Sequence, residues 1–349
     1  MPLRIIRIAA ALAGALLLAG CSVQLDPAQE EIPISFSAGS QLLRNDASTK
    51  GTTDSFTSNS DTFTVFGEKV TSADVHTLVF NGVTVNHHVV SEGSPEGYWD
   101  YDIHHFWNWV SPSDRYDFVA VSPAGMGTTN ENAVDNLSVS THYDYLTGAP
   151  SGGNKQDILA ATYRRTGSDW DRRHDQVSLS FSHMGSAVGV EIVNNSQSTY
   201  VTFTSIHYEN LVVSADAKVS MDNYGRTVLR WTNFTPSATA VRRLAKEPAT
   251  TIPPTDRYTG EYQIMIPQNL NLYEQTLVLN YKIGDSVQEP ARIPLNTITR
   301  EDGTPITSWD IGCKYTYSIS MRLDGGLLVT VSTTPWDVPV AGETPGILI

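Results

Sequence analysis

The sequence predicts an all-β protein of the sandwich class. Three observations carry that expectation. Short segments with apolar residues at alternate positions recur from Thr62 to Val331, separated by Gly, Pro, Asn, Asp and Ser. Two tight-turn signals, Asn81-Gly82 and Asp324-Gly325-Gly326, stand between such segments. Asn-Gly readily adopts the positive φ values that two-residue hairpins need. No window holds a helical apolar stripe of more than a turn or two.

The chain opens with Arg4 and Arg7, then the apolar run Ile8 to Ala19, ending Leu18-Ala19-Gly20-Cys21. A charged start, a short apolar run and small residues before a cut describe a secretory signal. The run is shorter than the ~20 residues of a spanning helix. The final four residues resemble a bacterial lipobox. That resemblance implies a signal peptide at 1–20, acylation of Cys21 and tethering to outer-membrane lipid. Cys21 would then be the first mature residue.

Residues 21–61 form the next segment. Within it Ile32, Ile34 and Phe36 lie on one face at period two, a short strand in which Pro33 dictates an edge or terminal place. Arg44 follows, then Asp46–Asp61, rich in Ser and Thr, which reads as a linker. Arg44 is the sole Lys or Arg between Cys21 and Lys50.

Strands are then expected at Thr62–Phe66, at Thr77–Phe80 and Val83–Val85 around Asn81-Gly82 as a hairpin, and at Tyr116–Val121, Ile158–Tyr163 and Val177–Phe181. The series continues with Ala187–Ile192, Val201–Ile206, Val228–Trp231, Tyr262–Ile266, Thr276–Tyr281, Tyr315–Met321 and Leu327–Val331. The charged stretch Arg164–Asp175 is the expected domain break. It divides the chain into a sandwich over 62–173 and a second over 174–349.

The 349 residues hold 23 Lys+Arg against 37 Asp+Glu. Without Arg4 and Arg7, 21 bases face 37 acids, a net charge of −16. Such a chain is a poor partner for nucleic acid, whose binding runs on phosphate neutralisation by Lys and Arg. Cys313 is the one cysteine besides Cys21. With Cys21 acylated it has no intrachain partner, and a small buried apolar role is expected.

No cofactor and no metal site is expected. His87-His88 and His104-His105 are adjacent pairs, and adjacent strand residues point to opposite faces. Neither Cys-x-x-Cys nor His-Glu-x-x-His occurs. Ser186 in Gly185-Ser186-Ala187-Val188-Gly189 is out of frame for a nucleophile elbow, and nearby His183 reads as a packed strand residue. Asp222-Asn223-Tyr224-Gly225 and Glu301-Asp302-Gly303 read as turns. The chain is therefore expected not to be an enzyme. A glycoside hydrolase with two converging acids is the enzymatic alternative, because sequence spacing does not show their distance. Tyr98, Trp99, Tyr101, Phe106, Trp107 and Trp109 are expected to fill core, with a sugar-stacking platform as the other reading.

Tyr98 to Pro123 (YWDYDIHHFWNWVSPSDRYDFVAVSP) resembles the fimbrillin-like proteins of Bacteroidia surface pili. Further blocks match in order: Ile34–Ala38, Thr62–Gly67, Leu179–Ile192, Ile293–Ile298, Gly312–Leu323 and Leu327–Trp336. The resemblance implies two tandem transthyretin-like β-sandwich domains in an exported lipoprotein precursor. It also implies an arginine-specific protease that removes the first strand, here at Arg44, making 21–44 a propeptide. The groove that Ile32, Ile34 and Phe36 had filled then accepts a strand from another pilus subunit, identical or homologous. The C-terminal segment 337–349, with Val338, Val340, Ile347 and Ile349, is the candidate donor strand. Location in a cell-surface fimbrium and adhesion to a host or bacterial receptor follow. The alternative is a monomeric surface lipoprotein that binds glycan or host protein through its aromatic segment.

Overall fold

The computed structural model describes residues 31–40, 56, 58–91, 97–129, 137–144, 157–237, 242–243, 250–260, 262–321 and 326–336. Cys21, Arg44 and the candidate donor residues Val338, Val340, Ile347 and Ile349 lie outside them. The fold is all-β, and the described residues include two short 3-10 turns, at Gly167–Arg172 and Leu295–Thr297. No helix among the described residues is long and apolar enough to cross a membrane.

In chain order the strands that build the first part are β1 (Phe36–Ser40), β2 (Thr62–Val70), β3 (His76–Val89), β4 (Gly97–Asp100), β5 (Arg115–Ser122), β6 (Thr128–Thr129), β7 (Ser138–Asp144), β8 (Leu159–Thr166) and β9 (Val177–His183). They are followed by β10 (Ser186–Asn194), β11 (Val201–Glu209), β12 (Val212–Met221) and β13 (Thr227–Pro236). A seven-stranded sheet runs β1-β9-β8-β5-β2-β3-β4, and a four-stranded sheet runs β13-β12-β7-β6.

The large sheet is apolar on both faces. Phe63, Val65, Phe118 and Ala120 point into one core with Phe36, Tyr101 and Trp107. Their neighbours Phe66, Val119 and Val121 point the other way, against Val139, Ala215, Ala217 and Trp231 of the small sheet. This is why β2 and β5 are buried at nearly every position and read as near-continuous rather than cleanly alternating strands.

Charges caught in these strands are paired. Arg115 and Arg164 reach Asp117 at 3.1 and 2.6 Å, and Lys69 lies 3.4 Å from Asp114. Burial works against the charged form of Asp114. Backbone N–H donors of Val110 and Ser111, together with Lys69, outweigh it and hold the carboxyl below the usual range. A depressed carboxyl stabilises the fold fully above its unfolded value, near ~3.9, and loses that contribution as pH falls through the folded value. Asp114→Asn is expected to cost about 1–3 kcal/mol near neutrality. The gap from wild type should close on acidification, as read from urea midpoints over a pH series. A gap that stays constant down to acid would rule out this role.

Three local expectations change. The Asn81-Gly82 hairpin is not formed: β3 runs straight through it and pairs with β2 on both sides. Gly82, at φ 72°, sits where the register jumps from Val65↔Val83 to Phe66↔Asn81. The positive φ serves a bulge instead of a turn. The β2–β3 turn lies at Thr71–Val75, closed by Thr71 N–H to Val75 O at 3.0 Å.

The stretch Arg164–Asp175 is anchored by one of its own charges. Arg165 is 2% exposed and its guanidinium donates to the carbonyls of Arg172, Asp175 and Gln176. The strand after it, β9, still belongs to the large sheet through β8 and β1. Within the expected linker 46–61, Phe56 is buried against Trp99 and Phe181.

The second core lies between two further sheets. One joins β10 to Cys313–Met321 and Leu327–Pro335, the other joins β11 to Thr276–Ile283. Val188, Val190 and Ile192, with their in-sheet neighbours Tyr315 and Tyr317, share this core with Leu277 and Leu279 of the other sheet. Cys313 is half-buried at its margin. Cys313–Met321 and Leu327–Pro335 pair antiparallel, Met321 opposite Leu327, and the expected turn at Asp324-Gly325 lies outside the described residues.

The two parts meet at His183. Its Nδ1 is 2.5 Å from Asp157 Oδ2, with both side chains fully buried. Its ring lies flat on Trp336, centroids 3.6 Å apart.

Candidate functional site

The N-terminal segment 31–40 is laid into the large sheet's core. Ile34 N–H donates to His105 O at 2.8 Å, and Trp107 N–H donates to Ile32 O at 3.0 Å. Pro33 faces Phe106 in that antiparallel bridge. No N–H of residue 33 is used there, so proline is accommodated without loss. Val177 N–H then donates to Ser35 O, and from Phe36 the segment runs parallel to β9 in register Phe36↔Val177 to Ser40↔Phe181. The regular strand is thus later than expected, Phe36–Ser40 rather than 31–36, while the inward face is the expected one.

Ile32, Ile34 and Phe36 are 6%, 0% and 1% exposed. Full burial of three such side chains is worth roughly 5–9 kcal/mol together as an upper bound. Phe36 stands among Phe63, Phe80, Tyr101 and Phe118, each edge-on at 5.5–6.0 Å. Tyr101 donates its hydroxyl to Ile34 O at 2.5 Å. Burial pushes the Tyr101 phenol above its ordinary value, which keeps the donor protonated. Gly67 makes the room: a Cβ there would lie 2.9 Å from the Phe118 ring and 3.0 Å from that of Phe80.

The aromatic segment divides. Tyr101, Trp107 and Trp109 are buried in the core, Trp99 is half-buried, and Tyr98 and Phe106 are exposed. His87 and His88 point to opposite faces, buried and exposed, each stacked on its cross-strand aromatic, Trp99 and Tyr98. Burial lowers the His87 imidazole from its ordinary value.

Ser186 is buried and donates to Asp310 O. His183 packs as expected for a strand residue, but its Asp157 partner was not legible. The Asp222 carboxylate accepts the N–H groups of Tyr224 and Arg226 within its own turn. A surface cavity of about 410 Å³ beside Tyr281 and Val287 holds one carboxylate, Glu289.

One arrangement escaped the sequence. Ser214 Oγ is 3.1 Å from His142 Nε2, and His142 Nδ1 is 2.6 Å from Asp216 Oδ1. Asn233 and His142 hold the Asp216 carboxyl below its usual range. The connectivity is that of a Ser-His-Asp relay. It sits on an open sheet face with the His142 side chain 63% exposed, outside the low-dielectric enclosure that makes such relays effective. Its members come from β7 and β12, and only the strand register brings them together.

A comparison with curated proteins finds no match. Among solved structures the chain is similar to a candidate cell adhesion protein of Bacteroides uniformis, at 13% identity and TM-score 0.49, covering 89% of this chain and 99% of that one. It is similar to a fimbrial protein of Bacteroides vulgatus, at 13% identity and TM-score 0.47, covering 87% and 99%. A tip fimbrial protein of Porphyromonas gingivalis with a C-terminal truncation is similar at 13% identity and TM-score 0.44, covering 88% and 100%. The sequence model of the fimbrillin-like family matches residues 49–336, most of the chain, and the protein belongs to that family.

Proposed function

We propose that the protein is a structural and adhesive subunit of a cell-surface pilus, exported as a lipoprotein precursor acylated at Cys21. In this reading its two tandem sandwiches are transthyretin-like, and subunits join by β-strand exchange. One observation carries the reading. The segment Ile32–Ser40 supplies core side chains and sheet hydrogen bonds, yet is joined to β2 by a stretch that contains Arg44. A cut there turns an integral strand into a dissociable peptide. The bared edge and apolar groove then recruit a replacement from a neighbouring subunit. A head-to-tail contact of this kind does not close and grows a filament.

Limited digestion of the precursor with an arginine-specific protease is expected to yield a chain starting at Asn45 and, once a strand-donating pilus subunit is supplied, to drive oligomers that survive detergent without heating. Arg44→Ala should remain monomeric under the same digestion. Equal polymerisation of that variant would remove Arg44 from the mechanism.

A second reading is favoured by Tyr98, Ile103, Phe106 and Val110, apolar side chains of one stretch of chain that are all exposed. It is a receptor or glycan contact. Alanine substitution of Tyr98 and Phe106 should then abolish glycan-array binding with thermal stability unchanged.

A further inference from the structure

We infer that the groove beneath β1 selects its incoming strand by an aromatic side chain at the Phe36 position, and that the strand comes from a different subunit rather than from residues 337–349 of this chain. The inference rests on the strand-exchange reading above and names the partner of that site.

Phe36 is 1% exposed and is boxed by four rings. All four belong to residues that stay with the body after a cut at Arg44: Phe63 on β2, Phe80 on β3, Tyr101, and Phe118 on β5. The strands of Phe63, Phe80 and Phe118 are hydrogen-bonded to one another, so these three walls do not close in to fill a smaller occupant. A site that cannot collapse charges the full cavity cost for a truncated side chain. The positions of Ile32 and Ile34 ask only for aliphatic bulk. The Phe36 position asks for a ring.

Residues 337–349 contain no Phe, Tyr or Trp. Val338-Pro339-Val340 repeats the apolar-Pro-apolar pattern of Ile32-Pro33-Ile34. The register that superposes them puts Gly342 at the Phe36 position. Moving Ile347 to the Ile34 position instead brings Ile349 there. Both frames leave the aromatic box short of its ring. The fitting partner is a β-strand with aliphatic residues at two alternate positions and Phe, Tyr or Trp at the next.

The test uses the full chain opened at Arg44, by protease or through a recognition site installed at residues 44–50. Labelled peptides are then exchanged into it. The peptide of residues 30–44 should be retained, and its Phe36→Ala form about a hundredfold or more weaker. The natural tail peptide 337–349 should be as weak as that form, and its Gly342→Phe version should gain at least about tenfold. If the natural tail or the Phe36→Ala peptide binds within about threefold of the 30–44 peptide, aromatic selection is overturned while exchange stands. If no peptide enters, including 30–44 itself, the exchange reading falls and the inference with it.

Discussion

Phe36→Ala is expected to destabilise the protein by about 3–5 kcal/mol, the range for emptying a ring from a core that cannot repack. The reason is geometric. Phe36 touches four rings edge-on, and edge-on aromatic pairs add to area burial by roughly 0.5–1.5 kcal/mol each. Those contacts tie a segment held by few backbone bonds to the centre of the large sheet. The loss should therefore appear twice: as a lower midpoint in denaturant, and as faster proteolysis of residues 31–40 in the otherwise folded chain. Phe36→Leu should recover part of the first effect. A Phe36→Ala variant with an unchanged midpoint would show that β1 lies outside the cooperative core, and the strand-exchange reading would lose its energetic basis.

The second large effect is expected at the junction. Asp157→Ala should cost about 3–5 kcal/mol, because it strips the carboxylate from a fully buried imidazole. The pair has no surface exposure to soften that loss. His183 is further fixed by the flat contact with Trp336, at 3.6 Å and 10°. Breaking a buried pair is costly, whereas replacing both members by apolar side chains of similar volume is often nearly neutral. The double variant Asp157→Val with His183→Phe should thus be closer to wild type than either single variant. Additive losses in that cycle, measured by urea denaturation, would mean that the two residues do not act as a pair.

The fold class was legible because period-two alternation survives wherever one face of a strand meets one core, as in Val177-Ser178-Leu179-Ser180-Phe181. It blurs where both faces are buried. β2 carries Phe63 and Val65 into one core and Phe66 into the other, and the strand expected over Thr62–Phe66 runs on to Val70. The inward face of Ile32, Ile34 and Phe36 could be read directly, since proline at 33 and alternation agree. The box around Phe36 could not, because Phe63, Phe80, Tyr101 and Phe118 meet only through sheet register and a loop crossing. Gly82 was misjudged for a related reason. A positive φ is a local property, but whether it makes a hairpin or a bulge depends on which strand the flanks find. Arg165 looked like a linker charge until its guanidinium found three carbonyls that curl around it.

The junction has a mechanical consequence. A pull delivered through the chain beyond Trp336 does not enter at a loose end. Trp336 N–H is held by Gly312 O at 2.7 Å, Gly312 N–H by Gly185 O at 2.9 Å, and the indole by His183 at the end of β9. Load is therefore shared at its point of entry between β9 of the large sheet and the sheet that holds Leu327–Pro335. The strand just upstream, Leu327–Pro335, is matched along its length to Cys313–Met321. Tension along that axis is resisted by the whole ladder in shear, not peeled away one bond at a time.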